Sequence, residues 1–203
     1  MADDGLTNIE RRISPRYFFT SDLWLHFGHK KILTMGNGRP FDTIEEHDKA
    51  LIDNWNKKIL SNDDIVYVLG DMFWNHNSKQ IKEILSQLNG KKYLILGNHD
   101  RIGHNKKSDS WIEMVPYKEL TIDNDVIILC HYPMAEWKHC FRGSYHLHGH
   151  THGTFDYSNH NYPHGNHNIY DVGVDTNDFE PKSWEEIKEK IRIKNESKGW
   201  KKK

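Results

Sequence analysis

Tyr93-Leu94-Ile95-Leu96-Gly97-Asn98-His99-Asp100 decides how the chain is read. A short apolar run of the kind that forms a fully buried strand stops at a glycine, then passes into an amide, an imidazole and a carboxylate. A plain turn needs Gly97-Asn98 and would leave His99 and Asp100 to a solvated loop. The same pattern recurs, however. Tyr17 to Asp22, Ile65 to Asp71, Val126 to His131 and Tyr145 to His152 each run from strand-like residues into Asp or His. In an open α/β sheet ligands bind outside the carboxyl ends of the strands, so such ends can converge on one point. Asp, Asn and His gathered there make a metal site.

Outward from that point the bounds are ordinary. A chain of 203 residues suits one domain with a single core. The core is expected over about 16–192, with a flexible N-terminal segment (1–15) and a basic tail (193–203). A formal net charge of -1 builds in no long-range attraction to nucleic acid or membrane. No stretch is long enough to span a bilayer, and Met1-Ala2-Asp3-Asp4-Gly5 has no basic start or apolar core. The expected setting is cytoplasmic, in a cell or in the host of a virus. Two cysteines, Cys130 and Cys140, are too few for a disulfide framework and read as reduced thiols. Fifteen histidines hint at metal chemistry.

Thr43 with Glu46 has capping-box spacing, and Ile44, His47, Leu51, Trp55 and Ile59 repeat at helical intervals, predicting a helix to about Lys58. Ser78 is the expected cap of a second helix burying Ile81, Ile84, Leu85 and Leu88, closed by Asn89-Gly90. The first half therefore reads β-α-β-α-β. From Tyr117 the apolar runs shorten and turns separate them, which predicts hairpins in a mixed sheet or a second stacked sheet. Ser183 with Glu186 opens a last helix with Trp184, Ile187 and Ile191 on one face. The His-rich stretch 159–167 reads as a surface loop rather than an accessory metal site, because its spacing matches no ligand pattern.

Asp22 to His26, Gly70-Asp71, Gly97-Asn98-His99-Asp100, His131 and Gly149-His150-Thr151-His152, in that order, resemble the signature of the calcineurin-like metallophosphoesterase superfamily. Arg39-Pro40-Phe41, His131-Tyr132-Pro133, Trp137, Gly143-Ser144 and Asp171-Val172-Gly173-Val174-Asp175 make it most similar to the small bacterial and bacteriophage-type phosphoesterases. The resemblance implies an α/β (α+β) fold, a four-layer α-β-β-α sandwich of two mixed sheets. It implies a binuclear centre in which Asp22, His26, Asp71 and His152 hold one metal, Asp71 bridges, and Asn98, His131 and His150 complete the second. His99 is then the catalytic histidine and Asp100 orients its imidazole.

Physical chemistry asks for such a set independently. Two divalent cations roughly 3.5–4 Å apart clamp the attacking and leaving oxygens of an in-line displacement and lower the pKa of a water between them. Mixed N/O ligation suits Mn, with Fe, Zn, Ni or Co as other candidates, better than Ca or Mg. An unligated His99 can assist the departing oxygen. The expected activity is hydrolysis of a phosphomonoester or phosphodiester, with a small phosphorylated substrate such as a nucleotide or cyclic phosphodiester.

Two departures from the family pattern stand out. The usual first pair is D-x-H, whereas Trp24 holds that position here and His26 follows two residues later. Either a short insertion bulges between Asp22 and His26, or the first metal loses a ligand to Trp24 and recruits His29 or water. After Asp71, Met72-Phe73-Trp74 brings no further carboxylate. Arg39 and Arg142 are candidate phosphate-binding residues. His146 and His148, alternating with Leu147, read as packed histidines, and Asp175 as fixing a turn or a histidine that lies behind the metal ligands. The alternatives are a nuclease acting on nucleic-acid ends, or a non-catalytic binding module with a degenerate first metal site.

Overall fold

A computed structural model describes residues 15–26, 30–34, 38–74, 76–155 and 167–197. The segment 1–14, His29, most of the His-rich loop and the end of the basic tail lie outside the described residues.

Strands β1 (Tyr17–Thr20), β2 (Ile65–Val68), β3 (Lys91–Ile95) and β4 (Glu113–Val115) run parallel. Strand β9 (Lys182–Ser183) joins antiparallel to β1, giving the order β4-β3-β2-β1-β9. The second sheet has the order β5-β6-β7-β8, from β5 (Tyr117–Ile122), β6 (Asp125–Cys130), β7 (Tyr145–His148) and β8 (Ile169–Asp171). Four α-helices accompany them among the described residues: α1 (Ile44–Lys58), α2 (Ser78–Leu85), α3 (Ile102–Ser108) and α4 (Trp184–Ser197). The chain is thus of mixed α/β class with two mixed sheets.

Side-chain alternation along each strand sorts residues into separate cores. Val66 and Val68 of β2 pack with Leu51 and Trp55 of α1 and Ile81 and Leu85 of α2. Tyr67, between them, faces Ile127, Leu129 and Leu147 of the second sheet. Ile128 points the other way, onto Trp137, Cys140 and Ile169. Helix α4 inserts Trp184, Ile187 and Ile191 into the core between the sheets, where Trp184 meets Phe19 at 6.2 Å and Tyr145 at 4.9 Å between ring centroids.

Among the described residues the outer face of the second sheet is closed by Trp137, Met134 and Phe155, which lie outside helices and strands. The outer stripe of β7 is His146 and His148, and the Trp137 ring lies 5.3 Å from that of His146. On helix α4, Trp184, Ile187 and Ile191 face the core between the sheets while Glu189, Arg192 and Glu196 stay exposed.

Smaller differences have local causes. Asn77, not Ser78, caps α2, and its box with Gln80 is reciprocal. Helix α3 has no side-chain N-cap, so nothing in the sequence announces it. In the second sheet only β5 and β6 form an antiparallel pair; β6, β7 and β8 are parallel, which requires crossovers instead of hairpins. Helix α4 continues to Ser197, into the stretch expected to be tail. It starts as expected, with Ser183 and Glu186 capping each other's backbone N–H. No helix among the described residues is long and apolar enough to cross a membrane.

Burial lowers the imidazole pKa of His146 to about 3 and of His148 to about 4. Unfolding returns both toward about 6.5, so the unfolded chain binds more protons between about pH 4 and 6.5. Stability therefore falls as pH drops through that window. The melting temperature should decline by an amount equivalent to a few kcal/mol, and His146→Gln should flatten the slope by about one proton. A melting temperature that is flat from pH 6.5 to 4 would mean the imidazoles are already charged in the folded chain.

Candidate metal centre

The carboxyl ends of β1, β2 and β3 point one way, and beyond their strands β1 and β2 stay zipped. Asp22 N–H donates to Gly70 O at 3.0 Å, and Trp24 N–H donates to Asp71 O at 3.2 Å. The second sheet reaches the same point because Gly149 N–H donates to His131 O at 3.0 Å and His150 N–H donates to Asp22 Oδ2 at 2.8 Å. Gly149 has to be glycine, since a Cβ there would run into Ser21 Oγ and Asp22 Oδ2. Asp22, Trp24, Asp71, His150 and His152 all have φ between 48° and 71°. Left-handed backbone at non-glycine residues costs of order 1–3 kcal/mol each and concentrates at functional sites.

Asp22, Asp71 and His131 are buried, each offering a ligand atom within 4.8 Å of the others. His131 Nδ1–H donates to Leu69 O at 2.7 Å. Its Nε2 then faces Asn98 Oδ1 at 3.0 Å and Asp71 Oδ2 at 3.5 Å. In the neutral ring that is a lone pair opposed by two oxygens, an arrangement relieved by a proton or a cation. Without a cation the proton wins: burial works against it, but the Asp71 hydrogen bond and the Asp22 charge raise His131 to about 9. Burial raises Asp22 to about 6, with His131 and His152 pulling it back. Asp71 is held below the usual carboxylate range; burial pushes it up, and the His131 hydrogen bond and charge outweigh that.

Asp22 Oδ2 accepts from Ser21 Oγ–H at 2.7 Å as well as from His150 N–H. Asp22 Oδ1 is buried with no hydrogen-bond partner among the described residues, 3.9 Å from His152 Nε2. His152 is oriented from behind, its Nδ1–H donating to Asp175 Oδ2 at 2.7 Å. Carboxylates and carbonyls that fix the far nitrogen of an imidazole in this way are the usual support of metal-binding histidines. An orphaned carboxylate oxygen, a second carboxylate, an amide oxygen and back-supported imidazoles fit a divalent cation of mixed N/O preference.

The structure brings Asp22, Asp71, Asn98, His131, His150 and His152 together. The His150 ring lies 5.0 Å from that of His131. His99 borders the group: its N–H donates to Asp71 Oδ1 at 2.9 Å, and its ring packs 4.4 Å from Trp74 and 4.8 Å from Trp24. Burial lowers its pKa.

Three expected roles change, those of His26, Asp100 and Arg39. His26 is not drawn into the group: its side chain is 51% exposed, 3.8 Å from Asp48 Oδ2, and its ring faces that of His76. Trp24, buried two residues earlier, lies against His99 and 6.3 Å from the His152 ring instead. His29, the other candidate, falls outside the described residues. Asp100 does not orient the His99 imidazole; its Oδ2 accepts from Asp71 N–H at 3.1 Å and Gly97 N–H at 2.8 Å, which fixes the loop backbone. Burial raises that carboxyl to about 6. Arg39 is not available to a phosphate. Its guanidinium donates to Asp175 Oδ1 and Oδ2 at 2.8 and 3.0 Å, Leu23 O at 3.1 Å, His47 Nε2 at 2.7 Å and Asp22 O at 2.7 Å. Arg142 is exposed at the end of a 3-10 turn, and its side chain has no partner among the described residues.

Sequence reading missed the network behind Arg39. His47 Nδ1–H donates to Asp48 Oδ1 at 2.8 Å, and Asp48 Oδ2 accepts from His26 N–H at 3.0 Å. The available signal was His47 itself, a histidine on the apolar face of α1.

With five donors matched to acceptors, Arg39 is a buried clamp on the Asp22 loop. Arg39→Ala should destabilise the fold by about 3–5 kcal/mol in denaturant titration, because it leaves Asp175 and two carbonyls without their partner. Arg39→Lys should recover little, since an ammonium cannot fork. An Arg39→Ala protein of unchanged stability with weakened phosphate binding would return Arg39 to the substrate.

No protein-family model matches the chain. It is 38% identical over 128 residues to the uncharacterized protein MJ1445 of Methanocaldococcus jannaschii, a match covering 63% of this chain and 65% of that protein, so the matched part spans just under two thirds of that relative. A crystal structure of the protein of unknown function AQ665 from Aquifex aeolicus shares the fold, with a TM-score of 0.67 and 24% identity over 87% of this chain and 99% of that one. The Gene 66 protein of Mycobacterium phage L5 is 31% identical over 172 residues, 70% of this chain and 80% of the phage protein. At that identity and coverage, the chain belongs to the family of the phage L5 Gene 66 protein.

Proposed function

We propose that the chain is a metal-dependent phosphoesterase of the calcineurin-like kind, holding two divalent cations and hydrolysing a phosphomonoester or phosphodiester. The observation that carries this reading is the orphaned Asp22 Oδ1 beside Asp71 and His131, three buried groups whose ligand atoms converge. Asp22, Asp71 and His152 would hold one ion; Asp71, Asn98, His131 and His150 would hold the other, with Asp71 common to both. Bound divalent cations supply Lewis acidity, charge neutralisation for the phosphate and a lowered pKa for water.

The chain's own residues do the rest. Ser21 and the His150 N–H fix one oxygen of Asp22 and leave the other facing the group. Asp175 aims His152, and Leu69 O fixes the His131 tautomer with Nε2 toward Asp71. His99, packed against two indoles and with its pKa lowered by burial, would hydrogen-bond the departing oxygen, a role worth about 10²–10⁴ in rate. The metallophosphoesterase-like sandwich belongs to the same proposal, with loops standing where the fourth layer would be.

Trp24 favours a second reading, a non-catalytic binding module retaining one ion, because an indole stands where the first pair would supply an imidazole. Manganese loading separates the two. The phosphoesterase reading expects two ions per chain, turnover of p-nitrophenyl phosphate or bis-p-nitrophenyl phosphate, and loss of at least one ion and most activity in Asp71→Asn. One ion with wild type and variant equally inactive would select the binding module. Metal uptake must also displace the proton from His131, so apparent affinity should rise with pH below about 9 and calorimetric heats should depend on buffer ionisation.

A further inference from the structure

We propose, resting on the phosphoesterase reading, that the site takes esters whose alcohol part is a planar ring, a mononucleoside or an aryl group, and that Trp74 is the surface on which the ring lies. Trp74 is 38% exposed, while Trp24 beneath it is buried. The Trp74 ring packs 5.3 Å from that of Trp24 and 4.4 Å from that of His99. With His99 assisting the departing oxygen, as the phosphoesterase reading has it, the alcohol part of a bound ester would leave along the Trp74 side, because the two rings are in contact. Across the donor group Tyr132, 44% exposed, leans on His131 and His150 at 5.0 and 4.8 Å between centroids. An exposed aromatic thus borders His99, and another borders His131 and His150.

An indole already propped on two rings loses little rotamer freedom when a ligand stacks on it, so its contact area converts efficiently into affinity. Every base or phenyl ring presents a π-face to such a platform, whereas a sugar or glycerol alcohol does not. A polymeric nucleic acid is disfavoured, because its affinity depends on many cations. Here the Arg39 guanidinium is fully engaged inside the protein and the chain's net charge is -1.

The test is calorimetric binding of phosphate, methylphosphonate and phenylphosphonate to manganese-loaded protein, none of which can be turned over as an ester. Phenylphosphonate should bind about tenfold tighter than methylphosphonate, or about 1.4 kcal/mol. Trp74→Leu should bring that ratio close to one by weakening the phenyl ligand alone, and Trp74→Phe should keep most of it, with melting curves confirming that both variants fold. Equal affinities in the wild type, or a ratio that survives Trp74→Leu, overturn the inference while leaving the phosphoesterase reading intact. Failure of phosphate itself to bind the loaded protein overturns both.

Discussion

Two carboxylates buried together, Asp22 and Asp71, set the constraint on which the rest of this structure depends. Each ionised group raises the cost of ionising the other, and burial removes the water that would otherwise screen them. The surroundings answer asymmetrically. Asp71 has its Oδ1 tied to the His99 N–H and its Oδ2 facing His131, and stays ionised. Asp22 has one oxygen tied and one left over, and its pKa rises to about 6. A site of that kind is poised to gain positive charge, whether as a proton on His131 or as a cation.

Around this centre lies a set of residues whose charged groups hold backbone in place. Arg39 joins Asp175, which aims His152, to the carbonyls of Asp22 and Leu23 and to His47 on α1. Asp100 performs the matching task on the other side by taking the N–H groups of Asp71 and Gly97. A helix on the outer layer is thereby coupled to the strand ends through hydrogen bonds to charged groups, which are stronger than neutral ones. Precise placement of donors depends on such support at least as much as on the donors themselves.

The convergence of strand ends is legible in the sequence because each end repeats one local statement, an apolar run halted at Asp, Asn or His. The parallel first half is legible for the same reason, and α1 and α4 because capping and periodicity agree over three or more turns. The crossovers between β6, β7 and β8 are not, since short apolar runs separated by turns look alike whether the strands pair parallel or antiparallel. Within the site, residue type alone misassigns Arg39 and Asp100. An arginine near a phosphate site and a carboxylate beside a histidine invite functional roles, and only geometry reveals that backbone groups 17 and 29 residues away have taken their hydrogen bonds.

Trp24 is the point where local and global demands diverge most. An indole cannot act as a ligand where an imidazole could, and His26, two residues on, turns toward Asp48 and His76. The left-handed backbone at Asp22, Trp24 and His26 marks the cost of accommodating this segment. The buried indole becomes the floor beneath Trp74 and the side wall of His99 and His152, and so supplies apolar surface around the donors. Lower local dielectric strengthens every electrostatic interaction that remains. The left-handed segment after Asp22 therefore also shapes the surroundings of the donor group.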